Sequence, residues 1–280
     1  MFSPYYAWAR RHAGTGSTDP LNHCAVNVAL YECASDQGSR AGSRWTMTER
    51  GRDRVRRTAH QLQIGPSALH WADGALHIEL DEIAVPWPAR LRGTVTLRAA
   101  QRFVHPVALA PGHHWHPIAP TARVEVELGR MRWSGPGYLD ANHGDAPLES
   151  AFSRWDWSRA QLANGDAVVL YDVERLDASP LRLGLKFDAR DGCVDTIDLP
   201  PRAPMPATRW RIERGARSDA GAPPRLLQTL TDAPFYARSL IEAQWLGERV
   251  TTMHESLSLV RFDRAWVQAM LPFRMPRLRR

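Results

Sequence analysis

A cluster of histidines around one tryptophan is the first feature of the sequence that could do chemistry. The segment GHHWHPIAP, residues 112–120, contains His113, His114, Trp115 and His116. Such a cluster could hold a metal ion, carry acid–base catalysis, or form the solvated end of a β-strand. Side chains two residues apart share a face of a strand, so His113 and Trp115 lie on one face and the other two histidines on the opposite face. A zinc ion needs three or four converging ligands, so this split disfavours a metal site.

A second polar pair follows in the segment WSGPGYLD, residues 133–140. Its Gly-Pro-Gly triplet predicts a tight turn, after which an extended chain would place Tyr138 and Asp140 on one face. The strand-like segment ARVEVELG, residues 122–129, joins the two clusters, so hairpin pairing would bring them together. A catalytic site built from both clusters is one interpretation. A hydrogen-bonded turn beside solvated loop histidines is the other.

The elements that must position these residues follow a period of two. Alternating apolar and polar residues occur in ALHIEL (75–80), LRGTVTLR (91–98), ARVEVELG (122–129) and LRLGLKFD (181–188). This alternation is typical of half-buried antiparallel strands, and the Asp73-Gly74 pair between two such runs predicts a type I′ hairpin. A short helix is expected from an N-cap at Asp263 through Met270. The pattern predicts an all-β barrel or sandwich.

Length and composition are those of an ordinary globular protein. The chain has 280 residues, of which 44% are hydrophobic and 24% charged. At roughly 150 residues per domain, this length allows two modest domains. We place them at residues 1–148 and 149–280, dividing just before the segment RWDWSRA.

Several function classes lack their sequence signals. The chain has no GxGxxG, Walker, HExxH or GxSxG motif, so a nucleotide-binding, zincin or hydrolase function has little support. The net charge of +6 comes almost wholly from arginine. The arginine-rich segment 48–57 also carries acidic residues and has no aromatic platform, so nucleic-acid binding is not expected. No run of about 18 apolar residues, no signal-peptide core and no CxxC pair occur, which predicts a cytoplasmic protein.

Ten segments, in order along essentially the whole chain, together carry a family likeness. They are FSPYYAWARR (2–11), HCAVNVALY (23–31), WTMTERGR (45–52), IGPSALHW (64–71), PIAPTARVEVEL (117–128), WSGPGYLD (133–140), RWDWSRA (154–160), PFYARSL (234–240), HESLSL (254–259) and LPFRMPR (271–277). With these segments the sequence resembles the carotenoid 1,2-hydratases, the hydroxyneurosporene synthases of purple photosynthetic bacteria.

The resemblance implies a fold, a reaction and a site. The implied fold is all-β, with two lipocalin-like (calycin) antiparallel β-barrel domains. The implied reaction is cofactor-independent hydration of the terminal C1–C2 double bond of acyclic carotenes such as neurosporene or lycopene, giving a tertiary alcohol. The family's H-x-W and Y-x-D motifs match His113, Trp115, Tyr138 and Asp140.

Each of these residues has a chemistry that suits alkene hydration. A protonated Asp140 would supply the proton, because burial beside aromatic groups keeps a carboxylic acid neutral. Trp115 would stabilise the resulting carbocation with its ring face, or serve only as core packing. Tyr138 would orient the acid, and His113 would hold or deprotonate the attacking water.

Two further expectations follow from the resemblance. Family members carry an aromatic-rich segment before the FSPYY stretch, whereas Met1 stands directly before it here. Either the start of the sequence is misassigned, or the first barrel lacks its N-terminal strands. The implied carotene resides in the membrane, so we expect peripheral contact with the intracytoplasmic membrane. Apolar residues and arginines of LPFRMPRLRR, residues 271–280, would make that contact.

Two other functions remain as alternatives. A lipocalin-like isoprenoid- or carotenoid-binding protein without catalysis would need the same barrels and aromatic lining, but not the pair His113 and Asp140. A metal-dependent hydrolase would use the histidine cluster, and insensitivity to chelators would dismiss it.

Overall fold

The fold is described from a computed structural model, which describes Ala9 and residues 19–31 and 43–277. The prediction about N-terminal strands before the FSPYY stretch concerns a part of the chain outside these residues. Within them, antiparallel β-strands dominate, as the period-two pattern predicted.

The strands are numbered in chain order. The first ten are β1 (Cys24–Leu30), β2 (Arg44–Arg50), β3 (Val55–Arg57), β4 (Gln61–Ile64), β5 (Ser67–Ala72), β6 (Ala75–Ile83), β7 (Arg90–Ala99), β8 (Val107–Ala110), β9 (His113–Leu128) and β10 (Met131–Gly144). The others are β11 (Phe152–Gln161), β12 (Ala167–Arg175), β13 (Pro180–Phe187), β14 (Val194–Thr196), β15 (Arg202–Met205), β16 (Arg214–Arg217), β17 (Arg225–Asp232), β18 (Tyr236–Trp245) and β19 (Glu248–Ser258). Two helices follow, α1 (Leu259–Phe262) and α2 (Ala265–Arg274).

Two large sheets hold most of the strands. One has the order β10-β9-β7-β6-β5-β4-β3, with β8 also paired to β9. The other has the order β14-β13-β12-β11-β19-β18-β17. The pairs β1-β2 and β15-β16 form small sheets of their own.

The chain forms two compact units that interleave along the sequence. Unit 1 comprises residues 1–98, 124–135 and 268–280, and unit 2 comprises residues 99–123 and 136–267. The long strands β9 and β10 contribute residues to both units. The sequence-based division at residue 148 stays a prediction.

The hairpin between β5 and β6 confirms a local prediction. Ala72 pairs with Ala75, and the two residues between them, Asp73 and Gly74, have φ angles of 50° and 72°. Positive φ at both central positions is the requirement of a type I′ turn, which the Asp-Gly sequence satisfies.

The turn predicted at the Gly-Pro-Gly triplet was wrong, because β10 runs through residues 135–137 without a break. The chain turns earlier, after Leu128, where Gly129 has a φ of 61°. Strand β10 lies at the end of its sheet order, and proline is tolerated in an edge strand because its missing N–H need not bond to a neighbour.

The C-terminal helix begins one residue later than predicted. Asp263 ends helix α1 as its C-cap, donating its backbone N–H to the carbonyls of Leu259 and Arg261, and α2 begins at Ala265. Helix α2 then continues past the predicted end at Met270, to Arg274. Among the described residues, no helix combines the length and apolar character needed to span a membrane.

Unit 2 packs its main core around Trp115. This residue, Phe152, Tyr171 and Phe187 are each at most 3% exposed and belong to one apolar cluster. Leucines at alternate positions of β13, including Leu183, pack against the same cluster. The alternation predicted for LRLGLKFD therefore buries its apolar face here.

Candidate functional site

Three of the four predicted site residues form a hydrogen-bonded triad in unit 2. The Trp115 indole Nε1 donates to Asp140 Oδ2 at 2.8 Å and also approaches Tyr138 Oη at 3.2 Å. The Tyr138 hydroxyl donates to the same carboxylate oxygen at 2.9 Å. Strand β9 carries the tryptophan, and its neighbour β10 carries the other two residues.

The two hydrogen bonds that Asp140 accepts within the triad end on the same oxygen, Oδ2. Among the described residues, none donates a hydrogen bond to the other oxygen, Oδ1. A carboxyl group held in this way is fixed in orientation by Oδ2, while Oδ1 can carry an acidic proton toward a bound molecule.

Burial favours the protonated form of this carboxyl. Desolvation raises the pKa of Asp140, and the negative charge of Glu255 raises it further. The hydrogen bonds from Trp115 and Tyr138 and the positive charge of Arg238 act in the opposite direction, without cancelling the rise. Burial also raises the pKa of Tyr138 well above its usual value, so its hydroxyl keeps its proton.

His113 lies on the predicted face of β9 but not in the triad. Its ring is 4% exposed and packs edge-on against Phe152, with the ring centroids 5.1 Å apart. Gly144 makes room for it, because a Cβ at that position would lie 2.4 Å from His113 Nδ1. Burial lowers the pKa of His113, which favours a neutral imidazole. Among the described residues, no hydrogen bond joins it to the triad.

His114 and His116 point to the opposite face of β9, as strand geometry predicted. His114 stacks on His143, with ring centroids 4.9 Å apart, and His116 Nε2 bonds to the Phe103 carbonyl at 2.7 Å. Both lie within the strand and not in a loop. In the described part of the chain, no group of three His, Cys, Asp or Glu side chains is arranged to hold a metal ion.

Aromatic rings from the second large sheet surround the triad. Tyr171 packs edge-on against Trp115 at a centroid distance of 5.8 Å, and Trp157 packs against Tyr138 at 5.4 Å. Trp155 in turn packs edge-on against Tyr171 at 6.1 Å. The Trp157 indole Nε1 is buried and has no hydrogen-bond partner among the described residues. Sequence reasoning gave these rings no role, although Trp155 and Trp157 alternate in RWDWSRA and so share a face.

A partly buried arginine also touches the triad. The Arg159 guanidinium lies 5.5 Å from the centroid of the Tyr138 ring, and its Nη2 donates to the carbonyls of Pro120 and Gly137. These two carbonyls belong to β9 and β10. Arg159 therefore ties together the two strands that carry the triad.

An apolar cavity of about 310 Å³ opens in the same unit. Its lining includes Phe103, Val107, Leu185 and Phe187, which all belong to or pack against the core cluster of Trp115. Val107 also pairs with Trp115 between β8 and β9. A cavity of this size accepts one end of a long apolar molecule.

A serine–histidine–aspartate set forms a separate network on the other face of the second sheet, where Asp156 also accepts hydrogen bonds from Arg154 and Arg202. His254 Nδ1 bonds to Ser158 Oγ at 2.8 Å, its Nε2 bonds to Ser256 Oγ at 3.1 Å, and Ser256 donates to Asp156 at 2.5 Å. All four residues are at most 4% exposed, and burial lowers the pKa of His254 to about 4. Both serines of this network are buried, so neither is an accessible nucleophile.

Comparison with known proteins places these features in a family. The model of the family described as carotenoid hydratase CrtC matches residues 1–280. The acyclic carotenoid 1,2-hydratase of Thiocapsa roseopersicina is 50% identical over 283 residues, covering 99% of this chain and 67% of that protein. The protein of that name from Rubrivivax gelatinosus is 46% identical with the same coverage, and that from Cereibacter sphaeroides is 40% identical over 99% of this chain and 95% of its own.

A solved structure supports the predicted fold class. The crystal structure of a protein assigned as an AttH, from Nitrosomonas europaea, superposes with a TM-score of 0.54 over 78% of this chain and 75% of its own. At 14% identity this likeness concerns the fold alone. Together with the antiparallel sheets, it confirms the all-β, lipocalin-like prediction.

Proposed function

The chain belongs to the carotenoid hydratase CrtC family, a family of hydro-lyases in carotenoid biosynthesis, and on this premise we propose that it hydrates the terminal C1–C2 double bond of an acyclic carotene. Neurosporene and lycopene are the proposed substrates, and a tertiary alcohol is the product. The observation that carries the proposal is the Asp140 carboxyl, which is held at Oδ2 by two donors and favoured in its protonated form by burial.

Asp140 is the proposed acid. An isolated trisubstituted alkene is a weak base, so its protonation needs a carboxylic acid that is still protonated near neutral pH. The proton on Oδ1 passes to C2, and the π electrons form the new C–H bond, leaving a tertiary cation at C1. Trp115 and Tyr138 hold Oδ2 and stabilise the carboxylate that forms.

The aromatic rings are the proposed stabilisers of the cation. A cation over an aromatic face gains about 0.5–2 kcal/mol per contact. Trp115 contributes from β9, as proposed from the sequence, and Trp157 and Tyr171 lie against the triad from the second sheet. The rest of the carotene extends toward the apolar cavity that contains Leu185 and Phe187.

His113 is the proposed holder of the attacking water. As a neutral imidazole, it can accept a hydrogen bond from a water molecule and leave a lone pair on the water oxygen for C1. Its position two residues before Trp115, on the same face of β9, supports this role.

Peripheral contact with a bilayer is proposed for helix α2. Trp266, Met270 and Phe273 have the i, i+4, i+7 spacing of one helical face and are 48%, 40% and 81% exposed. Such a face can insert into the interface of a membrane and bring the enzyme to its substrate. Of the arginines that the sequence-based prediction assigned to anionic head groups, Arg277 is paired with Glu49, and Arg279 and Arg280 lie outside the described part.

Conversion of the substrate tests the proposed function. Purified protein is incubated with lycopene in phosphatidylglycerol-containing vesicles, and the pigments are separated and weighed by mass spectrometry. A hydratase would convert lycopene to a product heavier by one water for each hydrated end. A carrier, the alternative function, would take up lycopene and return it unchanged.

A further inference from the structure

A second carboxylate faces the triad from the sheet that packs against it. Register pairs Tyr171 with Trp157, Trp157 with Glu255, and Glu255 with Arg238, across the strands β12, β11, β19 and β18. Directly paired residues of neighbouring antiparallel strands point to the same face of a sheet. These four side chains therefore form one row, which we call the facing row.

The facing row lies against the proposed acid. Its members Tyr171 and Trp157 contact Trp115 and Tyr138 of the triad. Leu257, two residues after Glu255 on the same face of β19, packs against the core cluster of Trp115. The charge of Glu255 acts on both Asp140 and Tyr171, which agrees with its place in the row.

The two carboxyl groups of this site differ in their partners. Glu255 Oε1 contacts the guanidinium of Arg238, at 2.8 Å from Nε and 2.6 Å from Nη2. Asp140, by contrast, accepts only neutral donors among the described residues. The Glu255 side chain is 21% exposed, so water can reach it. A site with one carboxyl held by neutral donors and a second carboxyl bound to a guanidinium has the parts of an acid and a base.

We propose that Glu255 is a catalytic base that takes the proton from the water attacking C1, an assignment that rests on the proposed hydration. The water lone pair forms the C–O bond, and the oxygen keeps the electrons of the O–H bond whose proton passes to Glu255. The proton then returns from Glu255 to Asp140, which restores both groups. The net reaction consumes one alkene and one water and needs no other reactant.

Hydration in D₂O with Glu255→Gln tests the proposal. Without the base, the cation still forms but is captured slowly, so it returns a proton or deuteron from C2 to Asp140. Hydration should fall about 10²-fold or more, as for the loss of a general base. Deuterium should meanwhile accumulate at C2 of the recovered lycopene. Glu242→Gln is the matched control. Glu242 lies on the same face of β18 as Arg238 but forms a separate ion pair with Arg225, so this variant should leave both rates unchanged.

Two results would overturn the assignment: hydration by Glu255→Gln within about threefold of the native rate, or loss of hydration and deuterium exchange together in a folded protein. If Glu255→Gln does not fold because Arg238 loses its carboxylate partner, the double variant Arg238→Gln/Glu255→Gln removes both charges, and the same two measurements are made on it. Failure of the proposed function itself would give a different result. The native protein would then neither hydrate lycopene nor introduce deuterium at its C2.

Discussion

The indole Nε1 of Trp115 donates a hydrogen bond of 2.8 Å to Oδ2 of Asp140, 25 residues further along the chain. The bond links the H-x-W and Y-x-D segments and leaves Oδ1 of the acid for the substrate. It also opposes the effect of burial, because a donor to the carboxylate lowers the pKa of Asp140. The triad therefore sets both the direction and the acidity of the proton donor.

Replacing Asp140 with Asn should abolish hydration and leave the fold intact. The amide has nearly the same shape and can still accept the hydrogen bonds of Trp115 and Tyr138, but it has no acidic proton. We expect turnover to fall by about 10²–10⁴-fold. Lycopene conversion measures this, with Asp177→Asn in a surface turn as the control. Near-native turnover would remove Asp140 from the mechanism.

The same variant should be at least as stable as the native protein at neutral pH. The folded state raises the pKa of Asp140 above the ordinary carboxyl value, so its contribution to stability is fully present below the unfolded pKa and lost as pH rises through the folded pKa. Asn carries no such penalty. Thermal unfolding at pH 7 should give an equal or higher midpoint, and a clearly lower one would contradict the raised pKa.

Trp115→Phe should move the alkaline limb of the pH–rate profile to higher pH. Activity requires protonated Asp140, so it is lost as pH rises through the pKa of that group. Phe keeps an aromatic face but removes the indole donor that lowers this pKa. A steady-state pH profile measures the limb. A role of Trp115 in packing alone would lower the rate without moving the limb.

His113→Phe should separate water binding from packing. Phe can still pack edge-on against Phe152, but it cannot hold a water molecule, and one hydrogen bond corresponds to roughly a tenfold change in rate. We expect turnover to fall by about that factor with little change in KM. Full activity in this variant would leave His113 with a packing role only. Activity should be insensitive to EDTA in either protein.

Vesicle co-sedimentation can test the proposed contact of helix α2 with a membrane. Phe273→Ser removes an exposed apolar side chain whose insertion is worth about 2 kcal/mol, so the bound fraction should fall markedly. Leu227→Ser, an exposed leucine on β17, is the control. Removal of residues 278–280 measures the part played by the basic tail. Equal binding by all proteins would place the membrane contact elsewhere.

Substitutions of two adjacent acidic residues of β6 should lower the free energy of unfolding of unit 1 by very different amounts. Glu82 is fully buried and paired with Arg50 at 2.7 Å, so Glu82→Gln leaves a buried guanidinium unpaired and should cost about 3–5 kcal/mol. Asp81 pairs with the exposed Arg90, and Asp81→Asn should cost less than about 1 kcal/mol. Urea unfolding of both variants measures the difference, and equal losses would contradict it.

Local pattern in the sequence determined much of this protein. Period-two alternation predicted the strands and the all-β class, because the pleat sends successive side chains to opposite faces. From the sequence alone, the same rule predicted that His113 and Trp115 share one face of a strand and that Tyr138 and Asp140 share one face of another. The Asp-Gly pair at residue 73 fixed a hairpin through its backbone requirements. Segment order was sufficient to identify the family.

Only the tertiary structure decided the rest, for reasons that local pattern does not contain. Gly-Pro-Gly in β10 reads as a turn, yet the strand continues there, because an edge position removes the need for the N–H that proline lacks. The place of His113 outside the triad depends on the packing of Phe152 and the space left by Gly144. Glu255 faces the acid through pairings between strands about 100 residues apart in sequence, and register over such separations is set by the packed sheet as a whole.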